Sequence, residues 1–175
     1  MVPVPEEPSF DVLVEYANFE VRKYERSVQA RLLTSGEGQS GRSGSFRRIA
    51  RYIFGGNRDN RRIAMTAPVQ MWENDRGSMM SFTMPSEYAL DDLPTPTDPD
   101  VKLIEVEEYV VAVLSFSGFS RTGKARRLMA RLQSMAKDEG LTSVGSPVLA
   151  VYDNPGTTLP FMRRNEIHLP IEWTD

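Results

Sequence analysis

Two stretches decide the fold: RKYERSVQARLLTSG at 22–36 and IEVEEYVVAVLSFSG at 104–118. Set side by side, Glu25 falls on Glu107, Val28 on Val110, Ala30 on Ala112, Leu32 on Leu114, Ser35 on Ser117 and Gly36 on Gly118. Each stretch is strand-like and leads into a helical pattern, then into a Pro-Val strand start at Pro68-Val69 and Pro147-Val148. Agreement of order and spacing is the mark of an internal repeat. It predicts two strand–helix–strand units, each with an extra strand, about a pseudo-twofold. The class is α+β, with about eight antiparallel strands and two helices in one curved sheet or open barrel. The halves run over 19–84 and 101–173, within a single domain at 12–175 that follows a flexible segment at 1–11.

The first helix reads from Ser45 to Phe54, with Phe46, Ile49, Ala50 and Ile53 at helical spacing and Gly55-Gly56 as its stop. The second runs from Thr122 to Glu139, with Ala125, Leu128, Leu132, Met135 and Ala136 as its stripe and Gly140 after it. Strands are expected at Phe19–Leu33, Arg62–Trp72, Ser78–Met84, Val101–Val106, Tyr109–Phe116, Pro147–Tyr152 and Asn165–Trp173, with a weaker one at Val12–Tyr16. The proline-rich run at 93–100 is a surface connection.

Composition narrows the chemistry. The 175 residues are 40% hydrophobic and 26% charged, enough to hold a packed core. There is no cysteine, which removes disulfide scaffolds, thiolate metal sites and cysteine nucleophiles, and fits a reducing, cytoplasmic setting. A single histidine, His168, leaves no multi-histidine metal site. The net charge of −3 argues against a chain that coats nucleic acid or an anionic membrane as a whole. The opening residues lack a signal-peptide pattern, and no apolar run reaches the ~18 residues of a membrane span, so a soluble protein is expected.

Between Gly41 and Arg62 lie seven arginines (42, 47, 48, 51, 58, 61 and 62) opposed only by Asp59. The guanidinium fork grips carboxylate or phosphate bidentately, and Arg47 and Arg51 are one helical turn apart beside an apolar stripe. An apolar floor with an arginine rim suits a flat, greasy ligand bearing acids; a solvated helix face is the plainer alternative. A second apolar-and-arginine stretch is LPFMRR at 159–164. His168 and Glu166 alternate with Ile167 and Leu169 and so share the opposite face of the last strand. His168 is a weak candidate iron ligand. Glu166 reads as an ion-pair partner of Arg163 or Arg164, or, in a rival reading, as the working group of a small-molecule sensor or hydrolase. In another rival the second helix docks in a partner protein's groove. No phosphate loop, nucleophile elbow or acid pair supports an enzyme.

The motifs EVRKYE (20–25), YIFGGN (52–57), IAMTAPV (63–69), FTMPS (82–86), FSG (116–118), YDNP (152–155) and RRNEI (163–167) follow one another as in the SOUL haem-binding proteins. The chain resembles that family from Val12 onward. The resemblance implies a pseudo-symmetric fold of eight strands and two helices, similar to the drug-sensing domains of some bacterial regulators. It also implies non-covalent binding of haem b or another tetrapyrrole in a shallow groove, for buffering or carriage. By motif position, the groove residues are Ile49, Ala50, Arg51 and Phe54 on the helix and Leu159, Phe161 and Met162 on the loop. One branch of the family has a proposed axial histidine where this chain has Lys23, and another has a basic loop residue where this chain has Leu159. Propionate contact is therefore expected from Arg47, Arg51 or Arg163.

Overall fold

The computed structural model describes residues 4–34, 38–153 and 158–175, with the backbone alone at 38–40. Of the sequence motifs, Ser35, Gly36, Asn154 and Pro155 lie outside the described residues. In chain order the elements are β1 (Phe10–Glu15), β2 (Glu20–Tyr24), β3 (Ser27–Leu33), α1 (Gly38–Ile53), β4 (Val69–Asn74), β5 (Gly77–Thr83), β6 (Lys102–Val106), β7 (Tyr109–Ser117), α2 (Thr122–Asp138), β8 (Val148–Val151) and β9 (Arg164–Pro170). The α+β class holds. Nine strands rather than eight are present among the described residues, because Phe19–Leu33 is two strands broken at Glu25-Arg26. The stretch 62–68, expected to be strand, is irregular apart from isolated bridges.

The chain forms two compact units. One is Met1–Pro8 with Arg26–Glu107; the other is Ser9–Glu25 with Glu108–Asp175. These are not the linear halves. In the first unit the antiparallel order is β4-β5-β3-β6, and in the second it is β8-β9-β7-β2-β1. The two orders are equivalent strand for strand once β1 is set aside. The strand leading into β3 therefore pairs in the second unit, and the strand leading into β7 pairs in the first. The repeat is a β–β–α–β–β unit whose leading strand has been exchanged.

Physical causes are local. In the first unit, Val28, Ala30 and Leu32 alternate inward on β3 and meet Ile49, Tyr52 and Ile53 of α1, with Met80, Phe82 and Met84 beside them. Burial of each valine, leucine, isoleucine, methionine or phenylalanine among them is worth about 1.5–3 kcal/mol. Phe46 is exposed, its ring edge-on to Phe82 at 5.5 Å. In the second unit, alternation on β2, β7 and β9 sorts two faces. Val21, Ala112, Leu114, Ile167 and Leu169 form an apolar one, while Arg22, Tyr24, Glu166 and His168 fall on the other. The second helix lies against β7 and β9 with Ala125, Leu132 and Ala136 buried. The stripe that would have served a partner's groove is thus already packed at Leu132.

The segment at 1–11, expected to be flexible, is held in its described part. Ala67 N–H donates to the Glu6 carbonyl, Ser86 N–H donates to the Glu6 side chain, and β1 begins at Phe10.

Candidate functional site

The exposed face of α1 is set by what surrounds it. Ile49, Ala50, Tyr52 and Ile53 point into the core, and Ile49 is 0% exposed. Residues 47, 51 and 54, at helical spacings of four and three, are left on the outer face together. Phe54 is 50% exposed. The turn after the helix fixes it. Gly55 has φ +108, a Cβ at Gly56 would lie 2.6 Å from the Arg51 carbonyl oxygen, and buried Asn57 donates to the carbonyls of Tyr52 and Arg61. Arg61 and Asp59 N–H groups return to the Asn57 side-chain oxygen. The chain then pairs Arg62 with Phe54 and sets the Arg62 guanidinium 5.6 Å from the Phe54 ring centroid.

The arginines of α1 differ in what holds them. Arg48 is committed to Asp98 through two hydrogen bonds of 2.8 and 2.9 Å, and to Asp100 at 2.8 Å. Those bonds hold the Asp98 carboxyl below its ordinary value. Arg47 and Arg51 are exposed, and neither donates a hydrogen bond to a described residue. An exposed guanidinium pair one turn apart, with an exposed phenyl ring at its end, is a surface that can take an acidic, flat molecule.

Of the expected groove residues, Ile49 and Ala50 are buried in the core. The other expected residues lie in the second unit. Leu159, Phe161 and Met162 are well exposed around a 3-10 turn at Pro160–Met162. Arg163 is half-buried, donating to the Thr158 carbonyl at 2.9 Å and reaching over the Phe119 ring at 5.2 Å.

His168 is 1% exposed, so it offers no ring nitrogen at a surface. Its Nε2 lies 2.9 Å from Glu166 Oε1, while its Nδ1 is buried with no hydrogen-bond partner. Glu166 pairs with Arg22, a residue the sequence did not mark. Arg22 Nη1 donates to Oε1 at 3.0 Å and Nη2 meets Oε2 at 2.9 Å. Tyr152 OH and His168 also converge on Oε1, and Ser115 OH is 3.4 Å from Oε2. Burial works to raise the Glu166 carboxyl, but the hydrogen bonds from His168 and Arg22 outweigh it and hold it at about 2. A carboxylate accepts only, so His168 Nε2 is the donor in this contact. Arg22 also reaches Glu20 and the Tyr24 hydroxyl, with the Phe10 ring 4.3 Å from its Cζ.

Glu166 is therefore an ionised, saturated carboxylate, not a free base. The signal that could have found Arg22 is the alternation Glu20, Arg22, Tyr24 on one strand face. Nothing local could have matched it to a partner 144 residues away. Among the described residues no group of three or more potential ligands could hold a metal ion, and no helix is long and apolar enough to cross a membrane. Lys23, at the position of the axial histidine of one family branch, lies near Asp175 and Glu108, at 3.4 and 3.6 Å. Asp175 and then Glu108 raise its pKa, so it stands as a charged ammonium rather than an iron ligand.

These features define a class: a duplicated α+β module with exchanged leading strands, one ionic knot in its second unit and exposed arginine-and-apolar surfaces. The chain belongs to the SOUL haem-binding protein family, whose model, described as "SOUL heme-binding protein", matches residues 5–170 and so runs through both units. Among curated relatives, heme-binding protein 1 of Sus scrofa is 28% identical over 131 residues, 70% of this chain and 67% of that protein. Heme-binding protein 2 of Homo sapiens is 33% identical over 102 residues, 54% of this chain and 49% of that one. The match to heme-binding protein 2 of Mus musculus is 30% identical and covers 71% of this chain and 63% of that one. The chain thus spans from about half to two thirds of the length of these relatives. Among solved structures, the EcmrR C-terminal domain superposes with a TM-score of 0.66 at 11% identity, covering 88% of this chain and 96% of that one. A hydrolase from Listeria innocua gives 0.58 at 13% identity, covering 91% and 94%. These two likenesses concern the fold alone.

Proposed function

We propose that the protein binds a tetrapyrrole, haem or its iron-free porphyrin, non-covalently, and buffers or carries it. What carries the reading is the outer face of α1, where Arg47 and Arg51 are exposed and donate no hydrogen bond to a described residue, beside the exposed Phe54 ring, while Arg48 between them is bound to Asp98 and Asp100. Propionates pair with Arg47 and Arg51, and the ring lies against apolar side chains. The family membership supports the ligand class, as do the names of the curated relatives. In the second unit, Leu159, Phe161 and Met162 offer the apolar contacts that the loop assignment names, and Arg163 a further guanidinium.

Burying about 300 Å² of apolar ligand surface gives a gross gain of about 7 kcal/mol at 25 cal/mol/Å². Association entropy removes about 4 kcal/mol or more of that, and two charge-assisted arginine–propionate bonds at about 1.5–3 kcal/mol each make up most of the loss, which puts the affinity at micromolar or weaker. Iron coordination is no part of the reading, since His168 is sealed against Glu166 and Lys23 is a paired ammonium. The test is a haem titration of wild type and of Arg47→Ala/Arg51→Ala followed by absorbance. Weakened binding in the variant supports the surface; equal binding rejects it.

A further inference from the structure

The second unit carries a run of basic residues along α2 and, near the start of that helix, exposed apolar side chains. From Tyr109 to Lys137 the sequence has six basic residues and no acidic one, in a chain of net charge −3. The burial pattern of α2 turns Ala125, Leu132 and Ala136 inward and leaves Arg127 and Arg131, one turn apart, exposed. Neither donates a hydrogen bond to a described residue. Just before the helix, Phe119 is 45% exposed, with Arg121 and Arg163 guanidiniums 4.9 and 5.2 Å from its ring centroid. Through Arg163 this aromatic adjoins the turn on which Phe161 is 73% and Met162 63% exposed. Along α2, Arg127 lies about 9 Å from Arg121 at 1.5 Å per residue.

We propose that this end of the second unit docks on an anionic lipid surface. Phe161, Met162 and Leu159 enter the boundary between headgroups and acyl chains, and Arg121, Arg127 and Arg131 lie on lipid phosphates and carboxylates. Charge complementarity chooses the partner: a run of cations without an acid suits a surface of uniform negative charge. The arrangement of the apolar residues chooses lipid over nucleic acid. They protrude together on one short turn beside the cations, whereas base stacking calls for aromatics interleaved with them. The cations Arg127 and Arg131 have no part in the tetrapyrrole assignment, whereas Leu159, Phe161 and Met162 are shared with it, so lipid and tetrapyrrole compete for that turn.

The experiment is co-sedimentation with vesicles of equimolar phosphatidylserine and phosphatidylcholine, with pure phosphatidylcholine vesicles alongside. The protein should bind the first, less so as salt rises, and pass over the second. Arg127→Gln/Arg131→Gln should lower the partition coefficient about five-fold per cation removed, with tetrapyrrole affinity and melting temperature unchanged. Phe161→Trp, a mild change at an exposed site, should shift its emission to the blue on adding the anionic vesicles, reporting insertion. The proposal is overturned if neither vesicle is bound, if both are bound alike, or if the tryptophan emission does not move. Tighter binding to single-stranded RNA than to vesicles at equal phosphate concentration would also overturn it.

Discussion

Arg22 and Glu166 meet fork to fork across β7, Nη1 to Oε1 at 3.0 Å and Nη2 to Oε2 at 2.9 Å, with both side chains almost sealed from solvent. The pair ties the exchanged strand β2 to the last strand β9 with β7 between them. Taking two charges out of water is costly, and here that cost is offset only because hydrogen bonds from Tyr152, His168 and Ser115 complete the carboxylate.

Breaking one side of the pair should therefore cost more than removing both. Arg22→Met leaves a buried anion and should lower unfolding stability by about 3–5 kcal/mol. Arg22→Met/Glu166→Gln should recover part of that loss. Urea denaturation of the two single variants and the double variant measures the coupling, and simple additivity would refute it.

The same pair gives stability a direction in pH. Glu166 sits at about 2, below its ordinary value of 4.5, so the unfolded chain binds the proton more readily than the folded one. Its contribution is fully present above the ordinary value and is lost as pH falls from there toward about 2. The amount is about 3 kcal/mol at 1.36 kcal/mol per pKa unit. Glu166→Gln should flatten this limb of the stability–pH curve, which denaturation at a series of pH values reads directly.

His168 is predicted to serve the fold and not the ligand. His168→Ala should destabilise the protein by about 2–4 kcal/mol, through the cavity and the donor lost to Glu166. Haem affinity should change by less than tenfold, about 1.4 kcal/mol. A low-spin haem spectrum in wild type that vanishes in this variant would contradict the assignment.

The turn after α1 supplies a test of how Arg51 and Phe54 are held. Gly56→Ala places a methyl 2.6 Å from the Arg51 backbone oxygen, where only backbone movement can relieve the clash. A loss of about 1–3 kcal/mol is expected, together with weaker ligand binding. Thermal melting and a haem titration on the same variant check both.

The repeat and its helices were legible because the matched positions Ala30/Ala112 and Leu32/Leu114 are inward strand positions, and period alone reveals those. The exchange of β2 and β6 was not, because pairing partners are set by long-range topology rather than by local pattern. Alternation placed Glu166 and His168 on one face, and the structure keeps them there, 2.9 Å apart. Sequence adjacency suggested Arg163 or Arg164 as the ion partner of Glu166, but strand geometry delivers Arg22 from across the sheet. Helical spacing marked Ile49 as apolar but could not say that its side chain would be covered. Arg47 and Arg51 were legible as a pair; that Arg48 would be ion-paired with Asp98 and Asp100 depended on how the 93–100 connection folds back.

The central claim is that arginine–carboxylate pairing on α1, with apolar contact and without iron ligation, binds the tetrapyrrole. Parallel titrations of haem, iron-free protoporphyrin and haem dimethyl ester into wild type and Arg47→Ala/Arg51→Ala test it most directly. Haem and protoporphyrin should bind wild type about equally, and the ester should bind it more weakly. Each arginine removed should cost haem about 1–3 kcal/mol, the scale of a charge-assisted hydrogen bond, bringing the variant near the ester's affinity. A variant that binds haem as wild type does, or a wild type that binds haem but not protoporphyrin, would contradict it.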